Sequence, residues 1–160
     1  MTADERARAR EILDLQEGRG PVALMDDAAI LALLQSARRI AVIGASSKPS
    51  RPSHGVVQYL LRHGYDVVPV NPNEREVQGV AAFASLTDAV AATGPFDIVD
   101  VFRRSDLCRE PALEAVATGA RALWLQLGVV SWEAARIAAD GGLAVVMDRC
   151  TAIEHRRIRG

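Results

Sequence analysis

The chain has 160 residues, the usual size of one domain, and 49% of them are hydrophobic, so it can bury a substantial core. Its formal net charge of -1 excludes the global positive field that would favour nucleic acid or a membrane surface. There is no apolar run near the ~20 residues of a membrane span, residues 1–10 lack the apolar core of a signal peptide, and two cysteines are too few for a disulfide framework. We therefore expect a cytoplasmic protein.

The first 37 residues are predicted to form a helical arm ahead of the main domain. Residues 2–17 form a charged helix with a short apolar stripe. A second helix, capped by Asp26 or Asp27, carries apolar residues at helical spacing and ends just before the first strand. Nothing in the arm indicates chemistry, so we interpret it as a packing or dimerisation element and residues 38–160 as the main domain.

From residue 38 onwards, apolar strands alternate with helices. Strands that are apolar nearly throughout are typical of a parallel sheet covered by helices on both faces, so we predict an α/β fold of three layers. The predicted strands are 40–43, 66–70, a weak edge strand near 80–83, 98–102, 122–125 and 144–147. The predicted helices follow the first strand up to Gly64, then run from Ser85 to about Ala92, from near Pro111 to Thr118, from Ser131 to Asp140, and from Ile153 to Arg159.

Small, polar and basic residues cluster where these strands end. Ligands of parallel sheets bind beyond the carboxyl ends of the strands, so the clusters are expected to meet at one edge of the sheet. They are Gly44 to Ser53, Asn71-Pro72, Arg103-Arg104, Gln126 to Gly128 and Asp148 to Cys150.

The cluster after the first strand predicts a binding site for phosphate. The chain passes from an apolar strand through a turn at Gly44 and a small polar loop into an amphipathic helix. Loop amides and the positive end of a helix dipole both favour an anion. We therefore interpret residues 44–53 as the binding loop of a nucleotide-like ligand.

The loop does not match the two commonest nucleotide fingerprints. NAD-binding proteins use Gly-x-Gly-x-x-Gly and an acidic residue at the end of the second strand, whereas this loop reads Gly44-Ala45-Ser46-Ser47-Lys48-Pro49 and the second strand ends in Val70-Asn71-Pro72. A Walker loop is also absent from the sequence. Four basic residues at the predicted edge favour a ligand with more phosphate than NAD: Lys48, Arg51, Arg103 and Arg104.

Five groups of residues at the strand ends together resemble a known family. They are Val42-Ile43-Gly44-Ala45-Ser46 with Arg51-Pro52-Ser53, Val70-Asn71-Pro72, Asp100-Val101-Phe102-Arg103-Arg104, Leu123-Trp124-Leu125-Gln126-Leu127-Gly128, and Met147-Asp148-Arg149-Cys150. In this order they resemble the small stand-alone CoA-binding protein family, which is similar to the CoA-binding domain of the succinyl-CoA synthetase alpha subunit. The resemblance implies a Rossmann-like, doubly wound, mostly parallel sheet with strand order 3-2-1-4-5-6. It also implies that coenzyme A (CoA) or an acyl-CoA lies across the carboxyl edge.

The resemblance further implies a role for each cluster. The loop after the first strand would contact phosphates, the residues after the second strand would flank adenine or ribose, and those after the fourth and fifth would line the adenosine and pantetheine parts. The implied CoA-binding residues are Gly44, Ala45, Ser46, Ser47, Lys48, Arg51, Pro52, Ser53, Asn71, Pro72, Phe102, Arg103, Arg104, Gln126, Leu127 and Gly128. The synthetases add a catalytic phosphohistidine on a further domain, so ligase chemistry is not implied, and we predict no catalytic residue.

Two other functions stay open from the sequence. One is a nicotinamide-dependent redox enzyme or sensor on the same fold. The other is an interaction subunit, or homodimer, whose N-terminal arm and basic tail recruit a larger acyl-CoA enzyme. Three histidines, His54, His63 and His155, show no metal-ligand spacing, so no metal is expected.

Two side chains each have two interpretations. Asp100 lies inside an apolar strand, where a hydrogen-bonded structural carboxylate is favoured over a general base because an unpaired buried charge is costly. Cys150 ends the last strand at the binding edge. It is either a thiol that forms a mixed disulfide with CoA or a small buried hydrophobic residue.

Overall fold

The α/β pattern expected from the sequence is present in the computed structural model, which describes residues 1–159. The helices are α1 (Ala3–Gln16), α2 (Asp27–Ser36), α3 (Pro52–Arg62), α4 (Leu86–Thr93), α5 (Arg109–Ala117), α6 (Trp132–Asp140) and α7 (Thr151–Arg159). The strands are β1 (Arg39–Ile43), β2 (Asp66–Val70), β3 (Glu76–Val77), β4 (Val80–Ala81), β5 (Ile98–Val101), β6 (Ala122–Leu125) and β7 (Ala144–Val146). A short 3-10 helix covers Ser105–Leu107.

The main sheet contains five parallel strands in the order β2-β1-β5-β6-β7 among residues 1–159. Side chains alternate between its two faces although each strand reads as an apolar run. Ile40 and Val42 lie in the core beneath α2, α3 and α7, whereas Ala41 and Ile43 lie in the core beneath α4, α5 and α6. Because both faces are buried, both sets of positions are apolar. The predicted fold class and its three layers are therefore confirmed.

The predicted edge strand near residues 80–83 is wrong in detail. Val80–Ala81 pairs antiparallel with Glu76–Val77, and a single bridge between Val70 and Phe83 joins this segment to β2 in the part of the chain described. The reason is the turn at Gln78 and Gly79, both of which have positive φ angles, as in the tight turns that connect hairpins. The hairpin uses the residues that would otherwise extend the sheet. The other five strands follow the predicted order.

The N-terminal arm is held against the main domain by backbone contacts. The indole nitrogen of Trp132 donates to the carbonyl oxygen of Glu11 at 3.0 Å, and the amide of Met25 donates to the carbonyl of Val145 at 2.9 Å. Asp26 caps α2 by accepting from the amide of Ala29 at 2.8 Å. No helix within residues 1–159 combines the length and apolar character needed to cross a membrane. A dimerisation or recruiting role for the arm stays a prediction.

Candidate functional site

A cleft of about 770 Å³ opens at the carboxyl edge of the sheet, within the range of small-molecule pockets. All five predicted clusters contribute to its lining, because the carboxyl ends of parallel strands meet there. The predicted site residues that line it are Gly44, Ser46, Lys48, Arg51, Pro52, Ser53, Asn71, Phe102, Arg103, Arg104, Gln126 and Leu127, together with Cys150 from the fifth cluster.

The loop between β1 and α3 begins at a glycine that no other residue can replace without strain. Gly44 has a φ angle of +82°, and a side-chain carbon there would overlap the carbonyl oxygen of Phe102. Further along the loop, the buried hydroxyl of Ser53 accepts from the amide of Ser46 at 3.1 Å, which joins the loop to the first turn of α3. α3 begins with Pro52 at its first position and has no side-chain cap, so its positive end remains available at the cleft.

The four predicted cations all line the cleft, but they differ in their partners. Arg104 is 75% exposed and pairs with Asp106 at 2.9 Å. Lys48, Arg51 and Arg103 take part in none of the salt bridges found within residues 1–159. Three positive charges are therefore available to an anionic ligand.

A carboxylate that the sequence interpretation missed also lines the cleft. Oε1 of Glu74 accepts from the amide of Ser47 at 3.1 Å and from its hydroxyl at 2.9 Å. The hydrogen bond from the Ser47 amide is the main cause that lowers the pKa of Glu74, with the Ser47 hydroxyl and the Lys48 charge acting in the same direction. An internal anion thus occupies donors that the sequence assigned to a phosphate.

The end of β2 supports the loop through its asparagine. The side-chain amide of Asn71 donates to the carbonyl oxygen of Ala45 at 2.8 Å, and its Oδ1 accepts from the amide of Asn73 at 2.9 Å. Pro72, which was expected to flank adenine or ribose, lies instead against a separate small depression between β2 and α5. The hydrogen bond from the Asn73 amide to the Asn71 side chain forms a tight turn at this point, and Pro72 is not among the residues that line the cleft.

Asp100 and Gln126 form a buried polar group at the opposite wall. Asp100 is fully buried, and its carboxylate accepts from the Gln126 amide at 2.7 Å and from the Thr151 hydroxyl at 3.0 Å. Burial raises the pKa of Asp100 from its ordinary 3.8 to about 7, although the two hydrogen bonds oppose the shift. These hydrogen bonds agree with the structural interpretation of Asp100, and its preference over a general base stays a prediction.

The two cysteines occupy different environments. Cys150 is half-buried, lines the cleft and packs against the core beneath α3 and α7, so it combines features of both interpretations offered for it. Cys108 is buried at the start of α5, and burial raises the pKa of its thiol to about 11. A mixed disulfide at Cys150 stays a prediction.

Three further predicted residues do not line the cleft. Ala45 is fully buried in the core, and Ser47 is held by Glu74. Gly128 supports the β6 loop instead, because its amide donates to Oδ1 of Asp148 at 2.6 Å. The lining residues that the sequence interpretation missed are Val56, Asn73, Glu74, Val129 and Ile153. All five lie within a few residues of a predicted cluster, so extending each cluster by three residues along the sequence would have included them.

Within residues 1–159, no group of three or more His, Cys, Asp and Glu residues is arranged to hold a metal ion.

The parallel sheet, its two helical layers and the loop after β1 define an α/β protein of the Rossmann-like class. Residues 38–156 match the family described as a CoA binding domain, and the chain belongs to that family.

Two proteins illustrate this similarity in sequence, and a third shares the fold. YneT of Bacillus subtilis (strain 168), described as uncharacterized, is 41% identical over 128 residues, which are 80% of this chain and 93% of that protein. A hypothetical protein from Pyrococcus horikoshii OT3 is 38% identical with a TM-score of 0.81, covering 85% of this chain and 94% of the other. RSP, a Rex-family repressor, has a TM-score of 0.55 at 15% identity, covering 79% of this chain and 60% of the other, a likeness that shows the fold alone.

Proposed function

We propose that this protein binds CoA or an acyl-CoA in the cleft at the carboxyl edge of the sheet. The observation that carries the proposal is that Lys48, Arg51 and Arg103, free of salt bridges within the described residues, line the same cleft as an uncapped helix start in a chain of the CoA binding domain family. CoA carries a pyrophosphate and a 3′-phosphate, so its charge matches this grouping.

The residues that would hold the ligand divide between two walls. The hydroxyls of Ser46 and Ser53 and the uncapped start of α3 suit a pyrophosphate, and Lys48 and Arg51 suit phosphate oxygens. On the other wall, Gln126 and the apolar Leu127, Val129 and Ile153 suit an arm that is partly polar and partly aliphatic. We propose binding without catalysis, because Asp100, the buried carboxylate beside the cleft, is committed to Gln126 and Thr151.

The nicotinamide alternative has a weaker basis in the site. NAD-binding proteins of this class place a carboxylate at the end of the second strand to hold the ribose hydroxyls. Asn71 occupies that place here, and its side chain is used to hold the carbonyl of Ala45. A redox function would need a ribose contact from another residue.

Thermal unfolding with three ligands tests the proposal. CoA at 100 times its dissociation constant should stabilise the folded protein by about 2.7 kcal/mol. We expect a clear rise in melting temperature with CoA, a smaller rise with dephospho-CoA and little with NAD. A rise with NAD and none with CoA would reject the proposal in favour of the redox alternative.

A further inference from the structure

The hydrogen bonds around Asp100 form a closed ring that uses the nitrogen side of the Gln126 amide. Nε2 of Gln126 donates to Oδ1 of Asp100 at 2.7 Å and to Oγ1 of Thr151 at 3.0 Å. The Thr151 hydroxyl then donates to Oδ2 of Asp100 at 3.0 Å. At pH 8, above the pKa of about 7 of Asp100, the carboxyl group is ionised, and a reversed amide would place its oxygen against a carboxylate oxygen with no hydrogen between them. With Asp100 ionised, the ring therefore admits one orientation of the Gln126 side chain.

Among the described residues, burial and the hydrogen bonds to Gln126 and Thr151 are the influences on Asp100, with no contribution from another charged group. The neighbours of Asp100 in register are Val42 on β1 and Trp124 on β6, and the indole nitrogen of Trp124 donates elsewhere, to the carbonyl of Arg149 at 2.7 Å. On α7, the nearby carboxylate of Glu154 is paired with arginines. The orientation of Gln126 thus depends on Asp100 and Thr151.

The oxygen of the Gln126 amide has to reach the cleft. Within residues 1–159, every fully buried side-chain nitrogen or oxygen has a hydrogen-bond partner. The ring engages the nitrogen of Gln126 and provides no donor to Oε1, and Gln126 lines the cleft. This wall consequently presents a hydrogen-bond acceptor to whatever occupies the cleft.

We propose that Asp100 is a positioning residue that, through Gln126, directs this acceptor at an amide N–H group of the pantetheine arm of the ligand. This role rests on the binding function proposed above. The hydroxyl of that arm lies close to the phosphates, the terminal thiol is a weak donor and a thioester has no hydrogen to donate, so the amide N–H groups further along the arm are the donors that suit Gln126. β6 lies two strand spacings from β1, about 10 Å, so an elongated ligand can reach Gln126 while its phosphates remain at the β1–α3 loop.

Calorimetric titration at pH 8 with three ligands tests the role of Gln126. The ligands are CoA, acetyl-CoA, and 3′-phospho-ADP, which lacks the pantetheine arm. Gln126→Met preserves the length of the side chain and removes its polar atoms. We expect affinity for CoA and acetyl-CoA to fall equally, by about 5- to 10-fold, while affinity for 3′-phospho-ADP stays unchanged, which also reports an intact fold.

Other outcomes separate the different failures. If the wild-type protein does not bind CoA, the proposed function is rejected. If it binds CoA and the variant binds it equally well, the role of Gln126 is rejected. If the variant loses affinity for CoA alone, the donor to Gln126 is the thiol and not the amide. If it loses affinity equally for all three ligands, Gln126 acts through the fold. Both results overturn the inference.

A second variant, Asp100→Asn, tests the positioning role of Asp100. The introduced carboxamide offers both an acceptor and a donor to the Gln126 amide, so the substitution removes the preference for one orientation. We expect a loss of about 2- to 5-fold for CoA and acetyl-CoA and none for 3′-phospho-ADP. The double variant with Gln126→Met should bind no more weakly than Gln126→Met alone, because Asp100 acts through Gln126. Additive losses would reject the positioning role.

Discussion

Gly44 and Phe102 lie so close that the carbonyl oxygen of Phe102 occupies the space of a side chain at Gly44. This contact joins the start of the β1–α3 loop to the end of β5, and Gly44 also has a positive φ angle there. We expect Gly44→Ala to lower the free energy of unfolding by at least about 2 kcal/mol, because it adds strain and overlap together. Urea unfolding measures the change.

Gly55→Ala is the matched control. Gly55 lies within α3 with open space around it, so alanine should raise the free energy of unfolding by about 0.5–1 kcal/mol. Equal changes in the free energy of unfolding for Gly44→Ala and Gly55→Ala would contradict the prediction that only Gly44 is sterically constrained.

Removing Glu74 should strengthen ligand binding. Glu74→Ala releases the amide and hydroxyl of Ser47 and removes a negative charge beside Lys48. We expect about 2- to 5-fold tighter binding of CoA at low salt, and a smaller gain at high salt because exposed charges are screened. Glu76→Ala removes an exposed carboxylate of β3 that does not line the cleft, and should leave affinity unchanged. Weaker binding by the Glu74 variant would indicate that the carboxylate orders the loop for the ligand.

Arg51 is expected to recognise the 3′-phosphate. Arg51→Ala should lower the affinity for CoA about tenfold and the affinity for dephospho-CoA much less, because a charge-assisted hydrogen bond to the 3′-phosphate is lost. Arg62, at the other end of α3 and outside the cleft, provides the control Arg62→Ala, which should bind both ligands normally. Equal losses for the two ligands would place Arg51 at the pyrophosphate instead.

The buried carboxyl of Asp100 should make stability depend on pH. Its pKa is raised to about 7 in the folded protein, so between 3.8 and about 7 the folded state keeps a proton that the unfolded chain has released. The stabilisation from Asp100 is therefore fully present below its pKa in the unfolded chain and is lost as pH rises through its pKa in the folded protein. Over that range the free energy of unfolding falls by up to about 1.4 kcal/mol per pH unit. Asp100→Asn abolishes this contribution, so the wild-type protein should lose stability relative to the variant across that window. Urea unfolding at a series of pH values measures this difference. If the free energy of unfolding changes with pH in parallel for the wild-type protein and Asp100→Asn, the raised pKa of Asp100 is contradicted.

The two thiols should differ in reaction with CoA disulfide. A Cys150 thiolate can attack one sulfur and release the other CoA as its thiolate, leaving a protein–CoA disulfide. Cys108 should not react, because burial raises its pKa to about 11. Intact-protein mass spectrometry should show one CoA adduct in the wild-type protein and in Cys108→Ser, and none in Cys150→Ser. An adduct that persists in Cys150→Ser would locate the reaction at Cys108.

The strands, the helices and the edge of the sheet where the cleft lies were predictable because their signals are local. Apolar runs, cap residues such as Ser85 and Ser131, and glycines at helix ends act within a few residues of the chain. The β1–α3 loop was recognisable for the same reason. The edge strand was misread because the Gln78-Gly79 turn competes with sheet extension, and the apolar pattern of residues 80–83 suits both arrangements.

The chemistry of the cleft walls depends instead on pairs that are far apart in the chain. Ser47 meets Glu74, and Asp100 meets Thr151, through separations of 27 and 51 residues that no periodicity encodes. Folding brings these side chains together only after the sheet has set the order and register of its strands. For that reason the amino-acid pattern indicates where a ligand binds, while the packed structure establishes which donors are free, which carboxylate is buried and which way the Gln126 amide points.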